Sequence, residues 1–289
     1  MNTILKEILN LLPFPIFVKI KSIFKLGYFV NLKNPITFNE KVNHRKFFWN
    51  NEKFTLCSDK VLAKEYVASK IGQHHIIKTL FVGDKITKID VISLLNKHGK
   101  IVLKANHNSG QVFVLKDKPS DENLNFIVSS LNSQMAEDYG KRKNEPWYSY
   151  IQPKILAEEV LVDECYDDIL DFKFHVFSAP NSDEQEIVLQ VDFERHKNHT
   201  RTIYDENFNV LPFSWAKASV CVDLPKPSNF DEMTNIAKKL GKDFSYVRVD
   251  LYNVNGRIFF GEMTFAHGSG FERFSSVFYD TWLGKKWVL

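Results

Sequence analysis

Apolar and polar positions alternate strictly over Asp171–Phe177, which puts Asp171, Lys173 and His175 on one face of a strand. Shorter runs of the same kind predict strands at Ile101–Ala105, Val112–Lys116, Lys154–Leu161 and Glu186–Val191. Two runs rich in Val, Tyr, Ile and Phe lie within Tyr246–Phe271, separated by Asn253-Val254-Asn255-Gly256. Asn-Gly between such runs predicts a tight hairpin. Helical patterns occupy the intervals. Thr37 and Glu40 stand at capping-box spacing and start a helix through Trp49. A second helix covers Asp59–Lys70 and closes at Gly72. Residues 119–150 read as helical and polar. Asp231–Lys242 is amphipathic, with Met233, Ile236, Ala237 and Leu240 on its buried face.

The chain has 289 residues, enough for one large or two to three small domains. Hydrophobic residues make up 44% and charged residues 25%, the composition of a globular protein. A net charge of +3, with its basic residues scattered, argues against nucleic acid as a partner. Cys57, Cys165 and Cys221 lie far apart without a CxxC, as reduced thiols of a cytoplasmic protein do. The segment Met1–Val30 is apolar, with Lys6, Lys19, Lys21 and Lys25 dispersed through it. Its longest uncharged run, Ile8–Val18, is 11 residues and holds two prolines, too short to span a bilayer. Packing on the protein body is the expectation; peripheral contact with a membrane surface is the alternative.

Candidate chemistry concentrates in the predicted hairpin. Arg248 and Asp250 share a face of its first strand, and Glu262 and Thr264 share a face of its second. The fold of the hairpin is expected to bring Asp250 near Glu262, and two neighbouring carboxylates repel unless a cation lies between them. Oxygen ligands suit Mg²⁺. The following Gly268-Ser269-Gly270 turn allows close approach of backbone to an anion. Earlier, Lys104 leads into the Asn106–Gln111 turn, which contains Ser109 and Gly110; strand, Ser-Gly turn and strand suit a hairpin that closes over phosphates. His107 reads as a loop residue. The run Asp192–Arg201, with Arg195, Lys197 and Arg201, reads as an anion-binding loop. No GxGxxG, GxxxxGK[ST], HExxH or GxSxG occurs, and no D-x-D, which counts against a metal-dependent glycosyltransferase.

PITFNEK (35–41), SDKVLAKEYV (58–67), VLKANHNSG (102–110), ILAEEVL (155–161), DFKFHVF (171–177) and RVDLYNVNGRIFFGEMTFAHGSGF (248–271) come in an order that resembles the ATP-grasp superfamily. More closely, the chain is similar to its teichuronopeptide-biosynthesis branch, associated with capsule and surface polysaccharides. The resemblance covers Pro35 to the C-terminus. It implies an α+β ATP-grasp fold: a helical region 1–57, a first ATP-grasp subdomain 58–156 with the mobile phosphate loop, and a second subdomain 157–289 with hinge and metal site. It also implies that Lys60 and Lys104 hold ATP phosphates, with Ser109 and Gly110 in the mobile loop. The 157–161 hinge, with Glu158, Glu159 and Leu161, receives adenine, and Asp163 or Glu164 reaches the ribose. Asp250 and Glu262 become Mg²⁺ ligands, joined by Thr264 where many relatives carry Asn. Arg248, Lys173 and Arg201 become catalytic or acceptor-binding groups. The implied reaction is ATP-dependent ligation of a carboxylate, expected on a uronic acid of a surface glycan, to an amine or amino acid. A sugar kinase on the same fold, a glycosyltransferase and a non-catalytic binding module are the alternatives.

Overall fold

The computed structural model describes residues 12–164, 169–180, 182–193, 199–219 and 224–289. Its helices are α1 (Phe14–Leu26), α2 (Phe38–Phe48), α3 (Lys53–Ser58), α4 (Leu62–Ile71), α5 (Lys88–His98), α6 (Asp121–Gln134), α7 (Tyr139–Lys143), α8 (Phe230–Gly241) and α9 (Val277–Lys285). Its strands are β1 (Thr79–Gly83), β2 (Ile101–Ala105), β3 (Phe113–Leu115), β4 (Ile155–Glu159), β5 (Asp171–Ser178), β6 (Gln185–Phe193), β7 (Thr200–Tyr204), β8 (Tyr246–Val254) and β9 (Arg257–Thr264). They form two sheets, ordered β1-β4-β2-β3 and β7-β6-β5-β8-β9. Among the described residues no helix is long and apolar enough to cross a membrane.

Two compact units result, each discontinuous in sequence. One is built from described residues of Met1–Asn50, Leu170–Asp250 and Thr264–Leu289; the other from those of Asn51–Ile169 and Leu251–Met263. A boundary in chain order between residues 156 and 157 falls inside β4, which is bonded on both edges, to β1 and β2.

In the first unit β5, β6 and β7 pair antiparallel, and their register sets Asp171 opposite Asp192 and Asp192 opposite Arg201. The alternation in β5 is real, yet every residue of the strand is buried. Its apolar side meets α8, whose Gly241 leaves no room for a Cβ against Val176. Phe38, fully buried at the start of α2, meets Tyr246 and Trp215 edge-on at 5.0 and 5.3 Å between centroids. The predicted capping box forms, with Thr37 accepting from Glu40 N and Glu40 accepting from the Thr37 N–H. Arg45 then reaches across to the carbonyls of Tyr246 (2.8 Å) and Phe265 (3.1 Å). From α9, Asp280 accepts from Asn39 N, Asn39 Nδ2 and Tyr28 Oη at 2.6–3.0 Å.

In the second unit Ile101, Leu103, Ile155 and Ala157 of the sheet pack on Val91 and Leu95 of α5 and on Leu124, Ile127 and Leu131 of α6. The helical stretch expected over 119–150 is broken: Asn144 turns left-handed after α7, and a 3-10 turn Pro146–Tyr150 follows. The hairpin turn is as the sequence predicts, with Asn255 at φ 50° and Gly256 at φ 76°, both positive as a two-residue turn of this hand requires.

Helix α9 approaches the entry to α2 so closely that a Cβ on Gly284 would lie 2.2 Å from Ile36 O and 2.7 Å from Phe38 N. Backbone cannot give way as a side-chain tip can. Gly284→Ala should therefore lower the unfolding free energy by about 2 kcal/mol or more in urea titrations. An unchanged midpoint would contradict this packing.

Candidate functional site

Polar side chains gather in two places, one in each unit. In the first unit they lie on one side of the sheet. Asp171 and Asp192 stand directly opposite each other, a repulsive arrangement on paired strands. Lys173 resolves it: its ammonium lies 2.8 Å from Asp171, 3.2 Å from Asp192 and 4.0 Å from Asp250. Arg201 donates from Nε to Asp192 (2.7 Å) and from Nη1 to Glu272 (2.7 Å). Glu272 accepts from His267 Nε2 (3.0 Å), and Arg248 donates from Nη1 to His267 Nδ1 (2.8 Å). Arg248 closes the circuit on Asp250 through two bonds of 2.7 Å. The ring thus runs Asp250, Lys173, Asp192, Arg201, Glu272, His267, Arg248, with Asp171 attached at Lys173.

Burial and electrostatics fix the protonation states. Because guanidinium only donates, His267 must accept at Nδ1 and donate from Nε2, the neutral tautomer. Burial, with Arg248 and Arg201 nearby, lowers its pKa to about 4, against the pull of Glu272. Burial alone would raise Asp192 and Glu272, but Lys173 and Arg201 hold the first well below the carboxylate range, and His267 and Arg201 hold the second there. His175, buried beneath, is held neutral by desolvation and by the charge of Arg248, and bonds Tyr246 Oη (3.0 Å) and Gln190 Oε1 (3.3 Å).

Two sequence expectations change here. The repulsion foreseen at Asp250 is answered by Arg248 and Lys173 rather than left for a metal alone. Arg201, expected in an anion-binding loop, stands instead in β7, buried, opposite Asp192. Arg195 and Lys197 lie outside the described residues. Asp192, His267 and Glu272 were not singled out as site residues, because a polar run and a Gly-Ser-Gly turn conceal their burial.

The second unit carries a cluster of lysines. Glu158, buried in β4, pairs with Lys64 (2.6 Å) and with Lys104, so its carboxyl stays ionised despite burial. Lys60 donates to the carbonyl of Asn108, with that of Asn106 3.5 Å away. Burial lowers the Lys60 pKa to about 8, and the charge of Lys104 pushes the same way, while Glu262 opposes. The loop that receives Lys60 is anchored at both ends. Asn106 donates to Asp59 and Gln152 and accepts from Lys154 N; Asn108 donates to Gln134 and accepts from Gly110 N. Ser109 bonds Tyr139, and Glu262 lies close enough to act on Lys60, Tyr139 and Tyr148. His107 bonds Gln134 O at 3.1 Å within the loop. Lys64, in α4 four residues after Lys60, would share its face in the helix predicted over Asp59–Lys70 and was legible in that spacing yet not named; Lys60 itself stands in the turn before α4.

The segment 157–161, expected to receive adenine, is part strand and part loop. Ala157–Glu159 are paired strand residues, and Glu159 N already donates to Lys78 O at 3.1 Å. Leu161 packs with Ile77, Val254 and Phe259. Asp163 accepts from Asn255 N (2.9 Å), whereas the Glu164 side chain is exposed and its N–H donates to Asn255 Oδ1 (3.0 Å). Thr264 is half-buried at the end of β9.

The two α+β units are those of an ATP-grasp protein, as the family match shows. The chain belongs to the TupA-like ATPgrasp family, whose pattern it matches over residues 40–288. Among solved structures it is similar to a D-alanine-D-alanine ligase from Helicobacter pylori, at 13% identity and TM-score 0.46, over 80% of this chain and 63% of that one. It is also similar to an N5-carboxyaminoimidazole synthetase from Staphylococcus aureus, at 12% identity and TM-score 0.40, over 72% of this chain and 44% of that one. The chain thus spans under two thirds of the length of either, and likenesses this distant carry no weight for activity or substrate. No curated protein matches it in sequence.

The neutral state of His267 has a consequence for stability. Between pH 6.5 and about 4 the unfolded chain takes up a proton here that the folded chain refuses. Stability attributable to this site is full above pH 6.5 and is lost as pH falls toward 4, by up to about 1.4 kcal/mol per pH unit. His267→Gln should reduce the slope of unfolding free energy against pH by one proton in that window. An identical slope in the variant would contradict the assignment.

Proposed function

We propose that the chain is an ATP- and Mg²⁺-dependent ligase that joins a carboxylate to an amine through an acyl phosphate. The observation that carries this reading is the pair Lys60 and Lys104. Two ammonium groups are held near each other in a partly buried site, where the charge of Lys104 adds to burial in lowering the pKa of Lys60. Such a pair is costly unless a polyanion completes it, and a nucleotide triphosphate supplies that charge at the Asn106–Gly110 loop. The proposed phosphate lysines are oriented by the Asn108 carbonyl and by Glu158. The backbone beyond Glu159 is proposed for adenine, and exposed Glu164 rather than Asp163 for the ribose.

Asp250 and Glu262, on neighbouring strands, are the proposed Mg²⁺ ligands, with Thr264 as a weaker oxygen donor. The donor set fits: a carboxylate offers about four lone-pair positions, and Arg248 occupies two on Asp250. Among the described residues no group of three acidic, His or Cys side chains forms a closed metal cage. One or two carboxylates completed by substrate phosphates is how Mg²⁺ is ordinarily held. When bound, the ion neutralises phosphate charge.

The remaining work falls to the chain's own residues. Lys60 and Lys104 orient the phosphates, so that a substrate carboxylate oxygen attacks the γ-phosphorus in line, its bond to the β,γ-bridging oxygen breaks, and ADP leaves. Amine attack on the acyl phosphate then gives a tetrahedral oxyanion. It collapses with loss of phosphate as the nitrogen releases its proton. Arg248, fixed by Asp250 and His267, is proposed to stabilise that oxyanion, and Lys173 and Arg201 to bias the surrounding field toward anions. The acceptor is proposed to be a uronic acid of a capsular or surface polysaccharide and the amine an amino acid, in keeping with the teichuronopeptide branch that the sequence resembles. The reaction is placed in the cytoplasm, where ATP is available.

Two outcomes test this. With ATP, a uronic acid and hydroxylamine, the acyl phosphate should be trapped as a hydroxamate with matching ADP release; a phosphomonoester stable to hydroxylamine would make the protein a kinase instead. ATP binding should also take up a proton at Lys60. Affinity should weaken as pH rises through about 8, approaching tenfold per pH unit, and Lys60→Arg should remove this dependence. Constant affinity from pH 7 to well above 8 in the wild type would remove Lys60 from the phosphate site.

A further inference from the structure

Helix α1 has two apolar faces, and among the described residues only one is packed. Phe17, Val18 and Leu26 are buried with Val30, Leu32 and Phe271. On the other side Ile16 is 47% exposed and Phe24 66%; Phe29, just past the helix end, is 70% exposed. Lone exposed apolar residues are ordinary. The charge beside these is not. From residue 12 to residue 39 the chain holds Lys19, Lys21, Lys25 and Lys33 and no Asp or Glu. Lys19, Lys25 and Lys33 are exposed, and the exposed Arg273 lies next to Gly27. Lys21 is used internally, folded over the rings of Phe17 and Phe271 at 5.0 and 4.1 Å.

A helix facing water alone mixes Lys with Glu on its outer side. A helix lying in a membrane interface instead combines large apolar side chains, which enter the acyl boundary, with cations at headgroup level. At 13 residues α1 is too short to cross a bilayer but long enough to lie on one. We propose that Ile16, Phe24 and Phe29, with Lys19, Lys25 and Lys33, dock this protein on an anionic phospholipid surface. The inference is independent of the ligase reading, because none of these residues belongs to either polar cluster.

The test is sedimentation of the full chain with vesicles of phosphatidylcholine, with and without phosphatidylglycerol. Binding should require the anionic lipid and should weaken as salt is raised. Lys19→Glu with Lys25→Glu should reduce the partition coefficient about thirtyfold or more, by the loss of two surface cations. Phe24→Ser with Phe29→Ser should reduce it at least tenfold. The substituted side chains are exposed, so circular dichroism and melting temperature should not change. Failure of the wild type to bind anionic vesicles at low salt overturns the proposal. Equal binding by the variants overturns it too. A dimer dispersed by the same substitutions would assign the face to a second copy and likewise overturn it.

Discussion

The buried charged ring of the first unit depends on Lys173. Strand pairing places Asp171 and Asp192 directly opposite each other, and their register is fixed by the hydrophobic side of β5 and by pairing along its whole length. Without a cation between them that register would be penalised. With it, Asp192 becomes a fixed anion for Arg201, Arg201 fixes Glu272, and Glu272 sets the tautomer of His267. Arg248 is then held from both sides, by His267 and by Asp250. Burying this many charges has no net benefit in general, and each is tolerable only while its partners remain. The arrangement makes sense as preorganisation: an arginine that need not move when charge develops beside it.

The second unit solves a different problem. Glu158 pairs with both Lys64 and Lys104, while Lys60 is left to loop carbonyls and to the more distant Glu262. Its depressed pKa records that shortfall. The loop itself is held by Asn106 and Asn108, whose amides satisfy neighbouring backbone and side-chain groups, so Ser109 and Gly110 are presented between fixed points.

Much of this was legible in the sequence. Strand β2 was located to the residue, the Thr37–Glu40 cap and the Asn255-Gly256 turn follow from local rules, and α8 follows from its periodicity. The resemblance to the ATP-grasp superfamily agrees with the family match. What sequence pattern misjudged was burial. Asp192–Arg201 reads as an anion-binding loop because so polar a run is normally outside the core. Here Asp192 and Arg201 are inside because each has a partner contributed by another strand, and no local signal carries that pairing. For the same reason the sequence suggested a metal beside Asp250 without showing that Arg248 and Lys173 also stand next to it. His267 and Glu272 bracket a turn whose left-handed Gly268, Ser269 and Gly270 fold the chain back, so that the two side chains meet.

The central claim is that Asp250 belongs to an interdependent buried ring and is not an independent carboxylate. Asp250→Asn tests it most directly, by unfolding in urea at neutral pH. Asparagine keeps the shape and removes the charge, leaving Arg248 buried without its two-point partner and Lys173 with one anion fewer. The ring predicts a loss of about 3–5 kcal/mol of stability. Stability unchanged or raised in Asp250→Asn, as relief of carboxylate repulsion would give, would contradict it.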